Sequence, residues 1–198
     1  MNLPNKLTVA RFVLTAVFLW AVFSRSPIND TLALVLFIAA SLTDFFDGRI
    51  ARRRKLITSF GTLMDPLADK VLMCSAFIAL VERGRLSPGT PVAVEAWMVV
   101  IIVARELAIT GLRLLAASKG IVLAAERYGK HKTISQITAV IALLVMDAYV
   151  EWWSWLQKLL VWWVPAFTQI ALWGTVALTL TSGALYLWRN RGLYMEEV

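Results

Sequence analysis

Six apolar blocks, at roughly 7–23, 31–46, 65–82, 95–115, 133–150 and 166–188, restrict this chain to very few folds. Most approach the ~20 residues that a helix needs to cross a bilayer, and hydrocarbon admits only helices or closed barrels. Hydrophobic residues fill 59% of the 198 positions and mean hydropathy is +0.69, too apolar for an ordinary soluble domain. The chain therefore reads as an all-α integral membrane protein, six transmembrane helices forming one domain over 1–198. No internal repeat or low-complexity segment is evident. Lys6 and Arg11 flank the first block as in a signal peptide, but no small-residue cleavage site follows, so a retained helix is expected.

Charge supplies the orientation. The net charge of +7 does not point to nucleic acid, because the basic residues sit at the ends of the apolar blocks, where orientation and anionic headgroups account for them. With the N-terminus inside, sixteen basic residues fall on the cytoplasmic side and only Arg25, Arg83, Arg85 and Lys158 fall outside. Both termini are then cytoplasmic. Trp152, Trp153, Trp155, Trp162 and Trp163 suit an aromatic belt at the headgroups. Cys74 reads as a small core residue, and the single histidine, His131, gives no basis for a His-rich metal site.

One stretch resists this apolar logic. Between Asp44 and Asp69 stand four carboxylates, two glycines and a run of basic residues. Asp44 and Asp47 are three apart and Asp65 and Asp69 four apart, so on helices each pair projects from a single face. If the two helices pack side by side, all four meet. Such a cluster repels itself unless a cation neutralises it, and carboxylate oxygens suit Mg²⁺, Mn²⁺ or Ca²⁺. The second helix is expected to end at these aspartates, with Arg49, Arg52, Arg53, Arg54 and Lys55 in a cytoplasmic loop. The third is expected to open at Asp65-Pro66, a cap followed by a proline. Capping would account for Asp65 but not for Asp69, a full turn further in.

Other polar residues gather on the same side. Asn5 or Thr8 could cap the first helix, whereas Arg11 lies one turn inside the apolar pattern, where it snorkels or serves the site. Arg105 and Arg113 are eight residues apart, roughly 80° around a helix, and can share one broad face. Glu106 would neutralise one of them. Lys119 and Arg127 read as a solvated loop, while Lys130 and Lys132 abut the fifth helix, whose first N–H groups favour an anion. The sixth helix, with Gly174 and Gly183, reads as packing material. Carboxylates with metal, beside cations at headgroup level, point to phosphate chemistry on a lipid.

The pattern Asp44-x2-Asp47-Gly48-x2-Ala51-Arg52-x8-Gly61-x3-Asp65-x3-Asp69 resembles, without a departure, the signature of the CDP-alcohol phosphatidyltransferase family. That resemblance implies six transmembrane helices, a homodimer, and a polar metal-containing cavity open to the cytoplasmic face. It implies two divalent cations, Mg²⁺ or Mn²⁺, on Asp44, Asp47 and Asp65, with Asp69 as general base and further metal ligand. Gly48, Ala51, Arg52 and Gly61 would line the site for the CDP moiety of CDP-diacylglycerol. Three more stretches, N-L-P-N-K-L-T-V-A-R, A-R-E-L-A-I-T-G-L-R and G-K-H-K-T-I-S-Q, resemble the branch of the family whose acceptor is sn-glycerol 3-phosphate. This implies transfer of a phosphatidyl group to that acceptor, with release of CMP, in a bacterial inner membrane. A dianionic acceptor needs cations, and Arg105, Arg113, Lys130 and Lys132 supply them.

Three readings compete. Inositol phosphate or serine could replace the acceptor within the same chemistry. A cation transporter would place its acids near the bilayer midplane and show an inverted repeat, whereas these acids lie at one face beside basic residues. A scaffold for anionic lipid would leave the four aspartates unexplained.

Overall fold

A computed structural model describes residues 3–24, 28–54, 59–86, 91–121 and 128–195, with side chains at all of these except 3–7, 44–54, 59–63, 65–66, 85–86 and 128–131. The described residues are helical with short connections and no strand. The helices are α1 (Leu3–Phe23), α2 (Asn29–Arg54), α3 (Ser59–Leu86), α4 (Ala96–Ser118), α5 (Tyr128–Ala148), α6 (Ser154–Leu160), α7 (Val164–Arg189) and α8 (Gly192–Met195), with a 3₁₀ turn at Tyr149–Glu151. Each apolar block of the sequence falls mainly on one of the six long helices, α1 to α5 and α7. Two segments, Lys132–Glu151 and Val164–Arg189, are long and apolar enough to cross a membrane. Shorter apolar stretches run over Thr8–Phe23 and Asn29–Thr43.

Helix ends depart from the sequence expectation where charge was taken as a stop. α2 continues past Asp44 and Asp47 to Arg54, so Arg49, Arg52, Arg53 and Arg54 are helical and only Lys55 of the expected loop lies outside the described residues. Alanine and arginine are among the best helix formers, and nothing between Asp47 and Arg54 except Gly48 opposes the helix. α3 starts at Ser59, so Asp65 and Pro66 are inside the helix and Asp65 is not its cap. Pro66 has no N–H for an i→i−4 bond, so the helix is one backbone bond short there. At its other end α3 reaches Leu86, so Arg83 and Arg85 are helical. α1 starts at Leu3, so neither Asn5 nor Thr8 caps it, and the short α6 was not expected at all.

The core is one apolar cluster. α1 packs on α2 and α3, α5 on α2 and α7, and α4 on α3 and α7. Phe18, Phe37, Phe77, Leu72, Val140, Leu144 and Leu172 are fully or almost fully buried, and the Phe18 and Phe37 rings meet at 5.6 Å between centroids. Outside this core the helices show large apolar side chains, such as Leu107, Ile134 and Ile170. That is the surface expected where lipid is the solvent. Trp153, Trp155 and Trp162 are also exposed, on and beside α6.

The helix ends away from Asp69 are joined by charge. Arg83 of α3 pairs with Asp30 of α2, approaches Asp147 of α5 at 3.4 Å and donates to the Val22 carbonyl of α1 at 3.2 Å. One guanidinium thus ties four helices. Glu151 completes the clasp by accepting from the backbone N–H groups of Asp30 and Thr31 at 3.1 and 3.0 Å, which satisfies donors that open the helix. The Trp152 indole donates to the Thr31 hydroxyl at 2.9 Å. Replacing Arg83 by Met strands two carboxylates, and unfolding of the purified protein in detergent is expected to show a loss of about 2–3 kcal/mol. Adding Asp147→Asn to that variant should recover part of it; an unchanged midpoint in Arg83→Met would mean that the clasp is solvated and stabilises nothing.

Candidate active site

The four aspartates lie on consecutive helices that touch, Asp44 and Asp47 on α2, Asp65 and Asp69 on α3. Because both helices run unbroken through these positions, the i, i+3 and i, i+4 spacings do put each pair on one face. The side chains of Asp44, Asp47, Asp65, Gly48, Ala51, Arg52 and Gly61 lie outside the described residues. That of Asp69 is described: it is half-buried and within electrostatic reach of Lys70 and Lys132. No group of three or more His, Cys, Asp or Glu gathers among the described side chains, a set that holds only one of the four aspartates. The donor chemistry, carboxylates on two touching helices, fits a hard divalent cation and no thiophilic one.

Within electrostatic reach of Asp69 or of one another is a set of cations drawn from α3, α4 and α5. Lys132 is only 4% exposed, and its ammonium pairs with Glu106 of α4. Glu106 also lies 3.6 Å from the Arg105 guanidinium, so the neutralising role expected of it is shared between two cations from two helices. The carboxylate lets like charges stand close together away from water. Lys132 sits inside α5 rather than ahead of it, since the helix already opens at Tyr128. The Lys130 side chain lies outside the described residues. One turn beyond Lys132, Gln136 is buried with its Nε2 donor unpartnered among the described residues.

Arg105 and Arg113 share a face, as their spacing predicts, and that face meets α7. Arg105 reaches Ser182 Oγ at 3.5 Å, a long contact, with its side-chain stem against Gly183. Arg113 Nε donates to Tyr186 Oη at 3.3 Å, and its guanidinium carbon lies 5.7 Å from the centre of the Tyr186 ring. Lys70, next to Asp69, is within electrostatic reach of both arginines. Sequence reasoning missed Lys70, Gln136 and Tyr186 as site residues and gave Gly183 to packing. Lys70 and Gln136 carried a signal, one adjoining Asp69 and the other closing the G-K-H-K-T-I-S-Q stretch; Tyr186 carried none, being an aromatic residue near a helix end.

On α1, Thr8 and Arg11 are both buried, at 1% exposure each. Arg11 is therefore not snorkelling toward headgroups, as one expectation had it, but points into the bundle, and Thr15 Oγ1 donates to its carbonyl at 2.8 Å. A buried arginine in an apolar bundle marks a functional position by default. The Asn5 side chain lies outside the described residues.

Comparison with known proteins identifies the family. The chain is 40% identical over 201 residues to the CDP-diacylglycerol–glycerol-3-phosphate 3-phosphatidyltransferase of Bacillus subtilis, covering 96% of this chain and 95% of that protein. A protein of the same name from Rickettsia bellii is 33% identical over 185 residues, 93% of each chain. A probable phosphatidylglycerophosphate synthase of Mycobacterium tuberculosis is 39% identical over 142 residues, 70% of this chain and 64% of that one. The profile described as CDP-alcohol phosphatidyltransferase matches residues 1–181, a span that holds the four aspartates and every basic residue of the site. With its aspartates paired on two touching helices and its sequence matched over that length, the chain belongs to the CDP-alcohol phosphatidyltransferase family.

Proposed function

We propose that the chain transfers a phosphatidyl group from CDP-diacylglycerol to sn-glycerol 3-phosphate, giving phosphatidylglycerol phosphate and CMP. The observation that carries the acceptor is buried Lys132, paired to Glu106 beside Arg105 and within electrostatic reach of Asp69. A phosphate dianion needs such cations, whereas a zwitterionic serine does not. The names of the Bacillus and Rickettsia relatives support the same reaction.

In this reading Arg105, Arg113, Lys130 and Lys132 hold the acceptor phosphate, with Asn5, Thr8 and Arg11 of α1 as further contributors. Asp69 takes the proton of the acceptor hydroxyl as its oxygen bonds to the lipid-side β-phosphorus; the bond from that phosphorus to the bridging oxygen breaks, and CMP departs. Gly48, Ala51, Arg52 and Gly61 line the CDP moiety, the glycines letting backbone come close to it. Two divalent cations, Mg²⁺ or Mn²⁺, held by Asp44, Asp47, Asp65 and Asp69, would supply the charge that polarises the diphosphate. The six long helices all cross the membrane, forming one domain with both termini and a polar cavity on the cytoplasmic side, and the protein works as a homodimer in a bacterial inner membrane. The sixteen-to-four distribution of basic residues supports this orientation.

CMP release from CDP-diacylglycerol should require both glycerol 3-phosphate and a divalent cation; release that needs no acceptor or persists in chelator would sink the mechanism, and release driven equally by serine or inositol phosphate would reassign the acceptor. Asp69→Asn is expected to lower kcat by about 100-fold or more while lipid binding persists, since it removes the base. Full activity in that variant would overturn the role of Asp69. Arg113→Ala, or Lys132→Met combined with Glu106→Gln so that no buried charge is stranded, is expected to raise KM for glycerol 3-phosphate about 10-fold and leave KM for the lipid near its starting value. Equal changes in both constants would count against the pocket.

A further inference from the structure

The acceptor cations on α4 do not stand alone; each leans on α7. Gly183 is buried, and a Cβ built on it would lie 2.8 Å from Arg105 Cγ and 3.8 Å from Arg105 Cβ. These are the near atoms of the side chain: Cβ is fixed by the α4 backbone and Cγ moves only by a change of the first side-chain torsion, so they cannot swing aside as a guanidinium could. Any side chain at 183 must therefore push Arg105 to another rotamer or push α7 away from α4. Three residues along the same helix face, Tyr186 is 4% exposed and meets Arg113 through both its ring and its hydroxyl. Tyr186 is anchored in turn, since it packs in an apolar cluster with Ile109 and Leu112 of α4. Both residues lie beyond position 181, where the family match ends.

We propose that α7 sets the position of the two α4 arginines, Gly183 through the space it leaves for the stem of Arg105 and Tyr186 through its ring and hydroxyl against Arg113. Both are positioning residues for the acceptor phosphate, acting through the arginines and not touching substrate. The proposal rests on the reading that Arg105 and Arg113 bind that phosphate. It gives α7 a part in acceptor recognition through two uncharged residues. A shift of about 1 Å in a substrate-positioning group can change turnover by up to ~100-fold, so a methyl group at 183 has room to matter.

The test is a double-mutant cycle on the full-length protein in detergent micelles, with CDP-diacylglycerol and glycerol 3-phosphate varied separately. Gly183→Ala is expected to raise KM for glycerol 3-phosphate about 10-fold, with KM for the lipid and the melting temperature little changed. In an Arg105→Ala background the clash has no target, so Gly183→Ala should add nothing further. If the two rises multiply, or if Arg105→Ala raises KM while Gly183→Ala does not, the positioning role is wrong and the pocket stands. If Arg105→Ala and Arg113→Ala both leave KM for glycerol 3-phosphate unchanged, the pocket itself fails and this role falls with it. Should Gly183→Ala reduce the yield of folded protein, Tyr186→Phe and Arg113→Ala form the equivalent cycle. Tyr186→Phe keeps the ring and drops the hydroxyl, and a rise of roughly 3-fold in the same KM, absent without Arg113, is the supporting result.

Discussion

The ion pair between Lys132 and Glu106 is the interaction on which the half of the bundle around Asp69 depends. An ammonium buried at 4% exposure would be strongly destabilising alone, and its counter-charge comes from a different helix. That requirement links α4 to α5, which both pack on α3 and α7, because any slippage of either helix separates the two charges. Glu106 adjoins Arg105 in sequence, so the same pairing sets where α4 turns Arg105 toward α7. Helix packing and the placement of these cations are thus one arrangement. The far end follows the same rule with the signs exchanged, a single guanidinium, Arg83, answering carboxylates from α2 and α5.

The two ends differ in their balance, and the difference separates structure from site. Around Arg83 the described charges are one cation against Asp30 and Asp147, with Glu151 spent on backbone donors, so no positive charge is left for a ligand. Around Asp69 the cations Lys70, Arg105, Arg113 and Lys132 are drawn together from three helices, with Glu106 between Arg105 and Lys132. Like charges gathered in this way cost stability, and such a gathering suits a place that takes an anion.

The apolar blocks made the long helices legible because lipid and core both demand continuous apolar surface. Helix ends were less so. Asp47 to Arg54 reads as a loop when charge is taken to end a span, yet α2 passes through it, because bilayer thickness limits the apolar stretch and not the helix. Pro66 misled for a related reason: proline favours a first turn, but α3 carries it past that turn and forgoes a backbone bond. Arg105 and Arg113 on one face followed from the 3.6-residue period, an intrahelical property. No period relates Glu106 to Lys132, twenty-six positions apart, and their pairing exists only once α4 and α5 have both packed on α3 and α7.

The same distinction separates the parts of the site. The aspartates occupy two consecutive helices, so their whole pattern fits within a 26-residue window from Asp44 to Asp69 and can be read as a motif. The basic wall draws one cation from α3, two from α4 and one from α5, with α7 behind them, and no window contains it. Gly183 is the extreme case. Its contribution is a missing Cβ against an arginine seventy-eight positions earlier, and nothing adjacent to it in the chain distinguishes that from the helix packing that small residues ordinarily serve. Chemistry that depends on charge leaves residue types in a sequence; chemistry that depends on space becomes visible only when the neighbouring helix is in place.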